Sequence, residues 1–290
     1  MAADQQPPPM LLEELTAVLQ AIAIVHQEKH CRPSERNLNE AWKFFNSDLS
    51  SSSAHAQQRV ESMKAALDLR SDLIMLFRFY AAYMCLQVEE FQQNHHVILS
   101  PWAMQVFSTA AKIMDPQLFA TSLPDVGTLN IDVASTRLAQ SPGVFSSFHT
   151  QAAISEGDGK RAYLKVFGLI QSWLANRSQA ARDDLYYIES SNTQYPQRLH
   201  YDRDPESSES YEEYFLLYFP LSGALWVGGG TGPAKREQVP QNGAFFGHGS
   251  RCLHGAAAYP GKNGRLFWQT TTRTEEEEDG ERKIFFPNPN

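Results

Sequence analysis

The chain has 290 residues, of which 42% are hydrophobic and 20% are charged, and its formal net charge is −8. This is the composition of an ordinary globular protein with a buried core. The acidic balance gives no support for a nucleic-acid partner. The three cysteines lie far apart in the sequence, which argues against a disulfide framework and favours a reducing compartment.

Neither export nor a membrane span is expected. The N-terminal residues lack the basic and apolar pattern of a secretory signal. The most apolar stretch, residues 73–88, is interrupted by Arg78 and is too short to cross a bilayer. We therefore predict a cytoplasmic protein, with the nucleus as an open alternative.

The N-terminal part of the chain is predicted to be helical. Residues 1–9 are polar and proline-rich, which predicts a disordered tail. Apolar residues then recur at helical spacing over residues 10–116. Within that region, Ser100 followed by Pro101 predicts the N-cap and first residue of a helix that ends near Met114.

Residues 117–290 are predicted to form a second region, built mainly of strands. Residues 136–157 look irregular, and residues 161–174 carry the apolar stripe of a helix. Short strand-like runs separated by Gly, Pro, Asn and Ser clusters are typical of a sandwich or barrel. The predicted strands are residues 129–134, 185–188, 198–201, 214–219, 224–227, 244–246, 253–258 and 265–271.

A candidate metal site is indicated by His200 and Asp202. On a strand, these two residues share a face and lie about 7 Å apart. Two histidines and one carboxylate form the iron site of many non-haem oxygenases, so a third ligand is needed. His254 is the candidate, at the start of a predicted strand. His248 is the weaker candidate, because the segment around it, GHGSR, is typical of a loop.

Arg265 is predicted to lie near this site. The turn sequence PGKNG separates it from His254 and predicts a hairpin, with Arg265 on a strand antiparallel to the His254 strand. Arg265, Phe267 and Gln269 would then share one face. If that face lines a barrel, the guanidinium lies in an apolar pocket, where a carboxylate ligand would satisfy it.

The order His200-x-Asp202, His254 and then Arg265 eleven positions later resembles the iron(II)/2-oxoglutarate-dependent dioxygenase superfamily. The segment QRLHYD most resembles its phytanoyl- and prolyl-hydroxylase-like branches, and the resemblance covers about residues 184–273. It implies an α+β fold, in which the helical N-terminal region packs on a C-terminal double-stranded β-helix, a jelly-roll or cupin-like barrel.

The resemblance also implies a reaction. Fe(II) would be held by His200, Asp202 and His254, and 2-oxoglutarate would be the co-substrate, with its far carboxylate on Arg265. Molecular oxygen would oxidise a small-molecule or peptide substrate, usually by hydroxylation, as 2-oxoglutarate becomes succinate and carbon dioxide. The family usually has a second group that hydrogen-bonds 2-oxoglutarate. Tyr187 and Tyr218 are the candidates, with ordinary core or rim tyrosines as the alternative.

Two other functions remain open. A cupin-like oxygenase could use the same metal without 2-oxoglutarate, and Arg265 would then be structural. A barrel that binds a ligand without turnover is the second alternative. The glycine-rich segment 228–232 is interpreted as a hairpin or loop, because it lacks the Gly-Lys-Ser/Thr ending and the following helix of a phosphate-binding loop. No residue pattern indicates the substrate or the oligomeric state.

Overall fold

A computed structural model describes about half of the chain, in segments between residues 87 and 271. The described residues are 87–119, 123–140, 148–175, 182–190, 199–202, 213–229, 232–257 and 263–271. The predicted tail and the predicted helical region up to residue 86 lie outside them. Within the described ranges, no helix combines the length and the apolar character needed to cross a membrane.

The described fold is mostly antiparallel sheet with a few helices. It begins with a helical segment over residues 87–94. The two longer helices are α1 (Pro101–Met114) and α2 (Asp158–Ala175), and a short 3-10 helix covers Val126–Thr128. The strands are β1 (His96–Leu99), β2 (Ile131–Gln140), β3 (Phe148–Ile154), β4 (Arg182–Ser190), β5 (Glu213–Phe219), β6 (Gly223–Gly229), β7 (Gly232–Val239), β8 (Gly243–His248), β9 (His254–Ala256) and β10 (Asn263–Thr271).

These strands form two sheets. The larger has seven strands in the order β1-β8-β5-β10-β4-β3-β2, and the smaller has three in the order β7-β6-β9. Neighbouring strands are antiparallel in both sheets. Strand β10 lies near the middle of the larger sheet and pairs with β4 on one side and β5 on the other.

The helices cover one face of the larger sheet. Successive side chains on a strand point to opposite faces, so each central strand contributes to two separate cores. The core on the helix side, called here the helix-side core, includes Phe107 of α1, Phe167 of α2, and Leu216, Phe246 and Trp268 of the central strands. All five side chains are fully buried.

The other face of the larger sheet meets the smaller sheet. The core between them, called here the inter-sheet core, includes Phe215, Phe245 and Phe267 from the larger sheet and Leu225 and Val227 from the smaller. Burial of large aromatic side chains provides most of the driving force for this packing. The candidate site lies in this inter-sheet space.

The helices predicted from Pro101 and over residues 161–174 agree with the structure. Helix α1 begins at Pro101, and the Ala103 backbone N–H donates to Ser100 Oγ at 3.2 Å, which makes Ser100 the N-cap. It ends at Met114, as predicted. The helix predicted over residues 161–174 is α2, which extends one turn earlier, to Asp158.

Strands β1 and β3 were not predicted, and one predicted strand was wrong. Strand β1 lies in the region predicted to be all-helical, where it pairs with β8, and β3 lies in a segment predicted to be irregular. The predicted strand over residues 198–201 is only an isolated bridge at His200 within the described residues. Each of these segments takes its structure from a distant partner, which local periodicity does not reveal.

The predicted hairpin between His254 and Arg265 was also wrong. Strand β9 pairs with β6 in the smaller sheet, whereas β10 belongs to the larger sheet. The chain therefore crosses from one sheet to the other between these strands. A turn sequence marks a change of direction but does not specify which sheet the next strand joins. By contrast, the glycine-rich segment does form the predicted hairpin, since Gly229 pairs with Gly232 between β6 and β7.

Candidate metal centre

The two candidate histidines face each other across a backbone bridge. The His200 N–H donates to the His254 carbonyl oxygen at 2.8 Å, and the His254 N–H donates to the His200 carbonyl oxygen at 3.0 Å. Residues directly opposite each other in an antiparallel pair point to the same side. The two imidazole rings accordingly lie 4.7 Å apart between centroids.

Asp202 completes a cluster of three. Its backbone N–H donates to the Gly249 carbonyl oxygen at 3.0 Å, and its Oδ1 lies 3.6 Å from His200 Nε2. One ligand atom from each of His200, Asp202 and His254 can be chosen so that all three lie within 4.8 Å of one another. The structure thus brings together the three side chains that the sequence indicated, and their role as metal ligands stays a prediction.

The His254 ring is held in one orientation. Its Nδ1 lies 3.1 Å from the Cys252 carbonyl oxygen. A carbonyl only accepts hydrogen bonds, so Nδ1 carries the proton and Nε2 presents its lone pair. The Phe215 ring stacks on the imidazole with centroids 4.4 Å apart. Such support of a histidine by a carbonyl is typical of metal-binding sites.

Burial makes the cluster suited to a cation. His200, Asp202 and His254 are only 4–5% exposed. A carboxylate removed from water is costly unless a positive charge or hydrogen-bond donors compensate it. Two imidazole nitrogens and one carboxylate oxygen are a donor set that divalent transition metals accept. The residues therefore fit a metal ion of that class.

Cys252 lies beside the cluster but is not suited to be a ligand. Its side chain is 1% exposed. Burial, together with the nearby charge of Asp202, raises the pKa of the thiol well above its usual range. Because the thiolate is the form that binds metals, a protonated Cys252 acts as a packed apolar side chain.

Arg265 lies on the inter-sheet face of β10. It shares that face with Phe267 of the inter-sheet core and is 6% exposed. Burial lowers the pKa of its guanidinium to about 10, so Arg265 remains charged at neutral pH. The face predicted for Arg265 is thus correct, although the predicted hairpin was not.

The two candidate tyrosines lie on the opposite face of the sheet. Tyr187 of β4 and Tyr218 of β5 are both directly opposite Leu266 of β10, and all three belong to or pack against the helix-side core. The Tyr218 hydroxyl donates to Asn242 Oδ1 at 3.2 Å. Both tyrosines therefore lie on the opposite side of the sheet from Arg265, and their assignment to 2-oxoglutarate stays a prediction.

A different tyrosine shares the face of Arg265. Tyr186 is opposite Phe267, and their rings stack with centroids 6.4 Å apart. Sequence reasoning missed it because the choice between adjacent residues 186 and 187 depends on the strand register, and a shift of one residue exchanges the faces. The signal that could have found Tyr186 is the alternation of faces along β10. Residues directly opposite each other on paired strands share a face, so the pairing of Phe267 with Tyr186 places Tyr186 on the face of Arg265.

His248 lies away from the cluster. It ends β8 opposite Tyr214, with ring centroids 5.1 Å apart, on the helix side of the sheet. Among the described residues, the cluster of converging ligand atoms includes His254 and does not include His248. The preference for His254 is consistent with this placement.

Comparisons with known proteins give structural similarity only. No family model and no curated protein matches the chain. A prolyl-4-hydroxylase from Pseudomonas putida is 9% identical and covers 66% of this chain and 99% of its own, with a TM-score of 0.43. A prolyl hydroxylase from Trichoplax adhaerens, in complex with a hypoxia-inducible-factor peptide, is 12% identical and covers 70% and 94%, with a TM-score of 0.44.

A third similar structure is an oxidoreductase of the 2OG-Fe(II) oxygenase family from Burkholderia pseudomallei, which is 10% identical and covers 66% of this chain and 91% of its own, with a TM-score of 0.44. At TM-scores below 0.5, functional conclusions depend on the geometry of the site itself.

Proposed function

We propose that this protein is an Fe(II)- and 2-oxoglutarate-dependent oxygenase built on a double-stranded β-helix. One observation carries the proposal: two histidines and one aspartate converge in a buried cluster, with their ligand atoms within 4.8 Å, between two antiparallel sheets. A buried arginine lies on the face of the larger sheet that borders the same space.

The three ligands would hold the ion from one side. His200 and His254 are joined by their backbone bridge, and Asp202 is tied to Gly249, so the ligand atoms are positioned before a metal binds. Two histidines and one carboxylate on one side leave positions for other molecules opposite them. The bound iron would supply the oxygen chemistry, and the protein supplies ligation and a site removed from water.

Arg265 favours a co-substrate with a distant carboxylate. It lies four positions before Gln269 on β10, and Gln269 is opposite Phe215, the ring that stacks on His254. Four positions along a strand span about 13 Å, and the long side chain of Arg265 shortens the distance between its guanidinium and the metal cluster. A molecule that chelates the metal at one end and presents a carboxylate to Arg265 at the other would bridge the metal and the guanidinium. 2-Oxoglutarate has both a chelating end and a distant carboxylate.

The aromatic inter-sheet core would shield the reaction from water. Phe215 covers one face of His254, and Phe245 and Phe267 pack beside it. A small-molecule or peptide substrate would approach the open positions of the metal. The Trichoplax adhaerens prolyl hydroxylase, to which this chain is similar, holds a peptide.

An anaerobic titration tests the proposal. Addition of Fe(II) and then 2-oxoglutarate should produce the weak visible charge-transfer band of a chelated complex. His200→Ala should abolish the band, because it removes a ligand. His248→Ala is the matched control, since that histidine is equally buried but lies on the other face, and it should retain the band. A band that persists in both His200→Ala and His254→Ala would contradict the proposed ligands.

Substitution of Arg265 tests the co-substrate. Arg265→Met keeps the length of the side chain and removes its charge, so 2-oxoglutarate affinity should fall by about 30-fold or more, because loss of one partner of a buried charge pair costs about 2–5 kcal/mol. Fe(II) affinity should not change. Isothermal titration under anaerobic conditions measures both, and Tyr218→Phe, on the helix side, is the control that should bind 2-oxoglutarate normally.

The pKa of Arg265 adds a pH dependence. Because burial lowers this pKa to about 10, the guanidinium loses its proton as the pH rises through about 10. The part of 2-oxoglutarate affinity that depends on Arg265 should be constant from pH 7 to 9 and should fall above that range.

Release of succinate in the presence of oxygen separates this function from a cupin-like oxygenase that does not use 2-oxoglutarate, for which no succinate is expected.

A further inference from the structure

A buried glutamate lies close to the candidate metal centre without belonging to it. Glu213 is the first residue of β5 and is only 2% exposed. The side-chain amide of Gln269, on β10, donates a hydrogen bond to its Oε1. Gln269 is itself 6% exposed and lies on the same face of β10 as Arg265. A carboxylate and an amide are thus paired in the interior, on the side of the sheet that faces the metal cluster.

Glu213 is connected to the metal cluster through Gly249. The Gly249 N–H donates to the Glu213 carbonyl oxygen at 2.7 Å, and the Gly249 carbonyl oxygen accepts from the Asp202 N–H at 3.0 Å. The side chain of Glu213 also packs against Gly249, where an added Cβ would lie only 3.0–3.2 Å from its Cβ, Cγ and Cδ. The hydrogen bond from Gly249 uses the backbone carbonyl of residue 213, so the Glu213 side chain itself acts on Gly249, and through it on Asp202, by packing.

We propose that Glu213 is a positioning residue for the metal centre, which it orders by fixing the Gly249 turn that holds the backbone of Asp202. Gln269 keeps the Glu213 side chain in place from β10, the strand that also carries Arg265. The pair therefore couples the carboxylate ligand of the metal to the strand that would bind the co-substrate. This inference rests on the proposed function, because it assumes that Asp202 ligates a metal.

Metal affinity and the spectrum of bound Co(II) test this role. In Glu213→Ala, the affinity for Co(II) should fall by about 10- to 100-fold, as for other residues that support metal ligands. The visible absorption bands of bound Co(II), which report coordination geometry, should change shape. Glu213→Gln retains an oxygen that can accept from Gln269, so its affinity and spectrum should return towards those of the wild-type protein.

Leu217→Ala is the matched control for a general loss of stability. Leu217 lies on the same strand and face as Glu213, in the inter-sheet core, and is equally buried. Its truncation should lower the melting temperature without changing Co(II) affinity or spectrum in the folded protein. If Leu217→Ala lowers Co(II) affinity as much as Glu213→Ala, Glu213 has only a structural role and the inference is overturned.

Further outcomes of the Co(II) experiments also decide whether Glu213 positions the metal centre. If Glu213→Ala does not fold, Gln269→Met removes only the donor to Glu213 and should still lower Co(II) affinity and alter the spectrum. An unchanged affinity and spectrum in the folded variant, whether Glu213→Ala or Gln269→Met, would overturn the inference while leaving the proposed function intact. If the wild-type protein binds neither Co(II) nor Fe(II), the proposed function itself fails.

Discussion

At the scale of single residues, the candidate centre depends on neighbours that are not ligands. The Cys252 carbonyl sets the tautomer of His254, and the Phe215 ring limits its rotation. Gly247 makes this stacking possible, because it is directly opposite Phe215 on β8 and has no side chain in the way. A glycine at this position is thus explained by the close approach of a ring and not by backbone conformation.

Gly247→Ala should disturb both the core and the metal centre. The new Cβ would lie 2.5 Å from Phe215 Cζ and 2.8 Å from its Cε1, so the ring must move away from its place on His254. Overpacking of this kind costs about 1–3 kcal/mol. Urea denaturation should show that loss, and metal titration of the folded variant should show weaker binding.

The control for this substitution is Gly157→Ala. An added Cβ at Gly157 meets no atom within 4 Å, and the residue precedes α2, on the far side of the larger sheet from the cluster. Metal affinity should therefore be unchanged in Gly157→Ala. Equal metal affinity in Gly247→Ala and the wild-type protein would show that Phe215 does not support His254.

At the scale of elements, β10 connects the parts of the fold. It pairs with β4 and β5, and its alternate residues point to opposite faces of the larger sheet. Leu266 and Trp268 enter the helix-side core, whereas Arg265, Phe267 and Gln269 face the smaller sheet. A one-residue shift in register would place Arg265 among the helices, so its position depends on every pair in this strand.

Helix α1 supports the same sheet from the other side, and its N-cap offers a test. Ser100→Ala removes the acceptor for the Ala103 N–H and should destabilise the protein by about 1 kcal/mol. Ser100→Asp keeps an acceptor at the N-cap and should retain wild-type stability. Denaturant unfolding measures both. If Ser100→Ala and Ser100→Asp unfold at the same urea concentration, the cap does not contribute as we expect.

At the scale of the whole molecule, the larger sheet separates two cores. The helix-side core stabilises the sheet, and the inter-sheet core surrounds the candidate centre. A defect on the helix side should therefore reduce the free energy of unfolding without reaching the ligands, as long as the sheet keeps its register. This separation predicts that stability and metal affinity can be changed independently.

Phe167→Ala tests that separation. Phe167 is fully buried on α2, and its ring meets that of Trp268 edge to face at 6.2 Å between centroids. Its truncation should cost about 3–5 kcal/mol. Calorimetry should show the loss, whereas Co(II) affinity measured well below the melting temperature should equal that of the wild-type protein. A parallel fall in affinity would mean that the two cores are coupled through the sheet.

The sequence by itself determined the local features. Ser100 and Pro101 specify the start of α1, because an N-cap and a first-turn proline act within one helical turn. The glycine-rich segment specifies a hairpin, and alternation along residues 265–269 specifies that Arg265, Phe267 and Gln269 share a face. The residue types His, Asp and His also indicated metal chemistry, since two imidazoles and one carboxylate are a donor set that non-haem iron accepts.

Only the tertiary structure decided how these pieces meet. The bridge between His200 and His254 joins segments far apart in the chain, and it, not a regular strand, brings Asp202 to the cluster. The transfer of β10 to the larger sheet and the face taken by Tyr187 and Tyr218 likewise depend on pairing between distant strands. Such pairing is set by the burial of whole faces and by register, and neither is encoded within a short window of sequence.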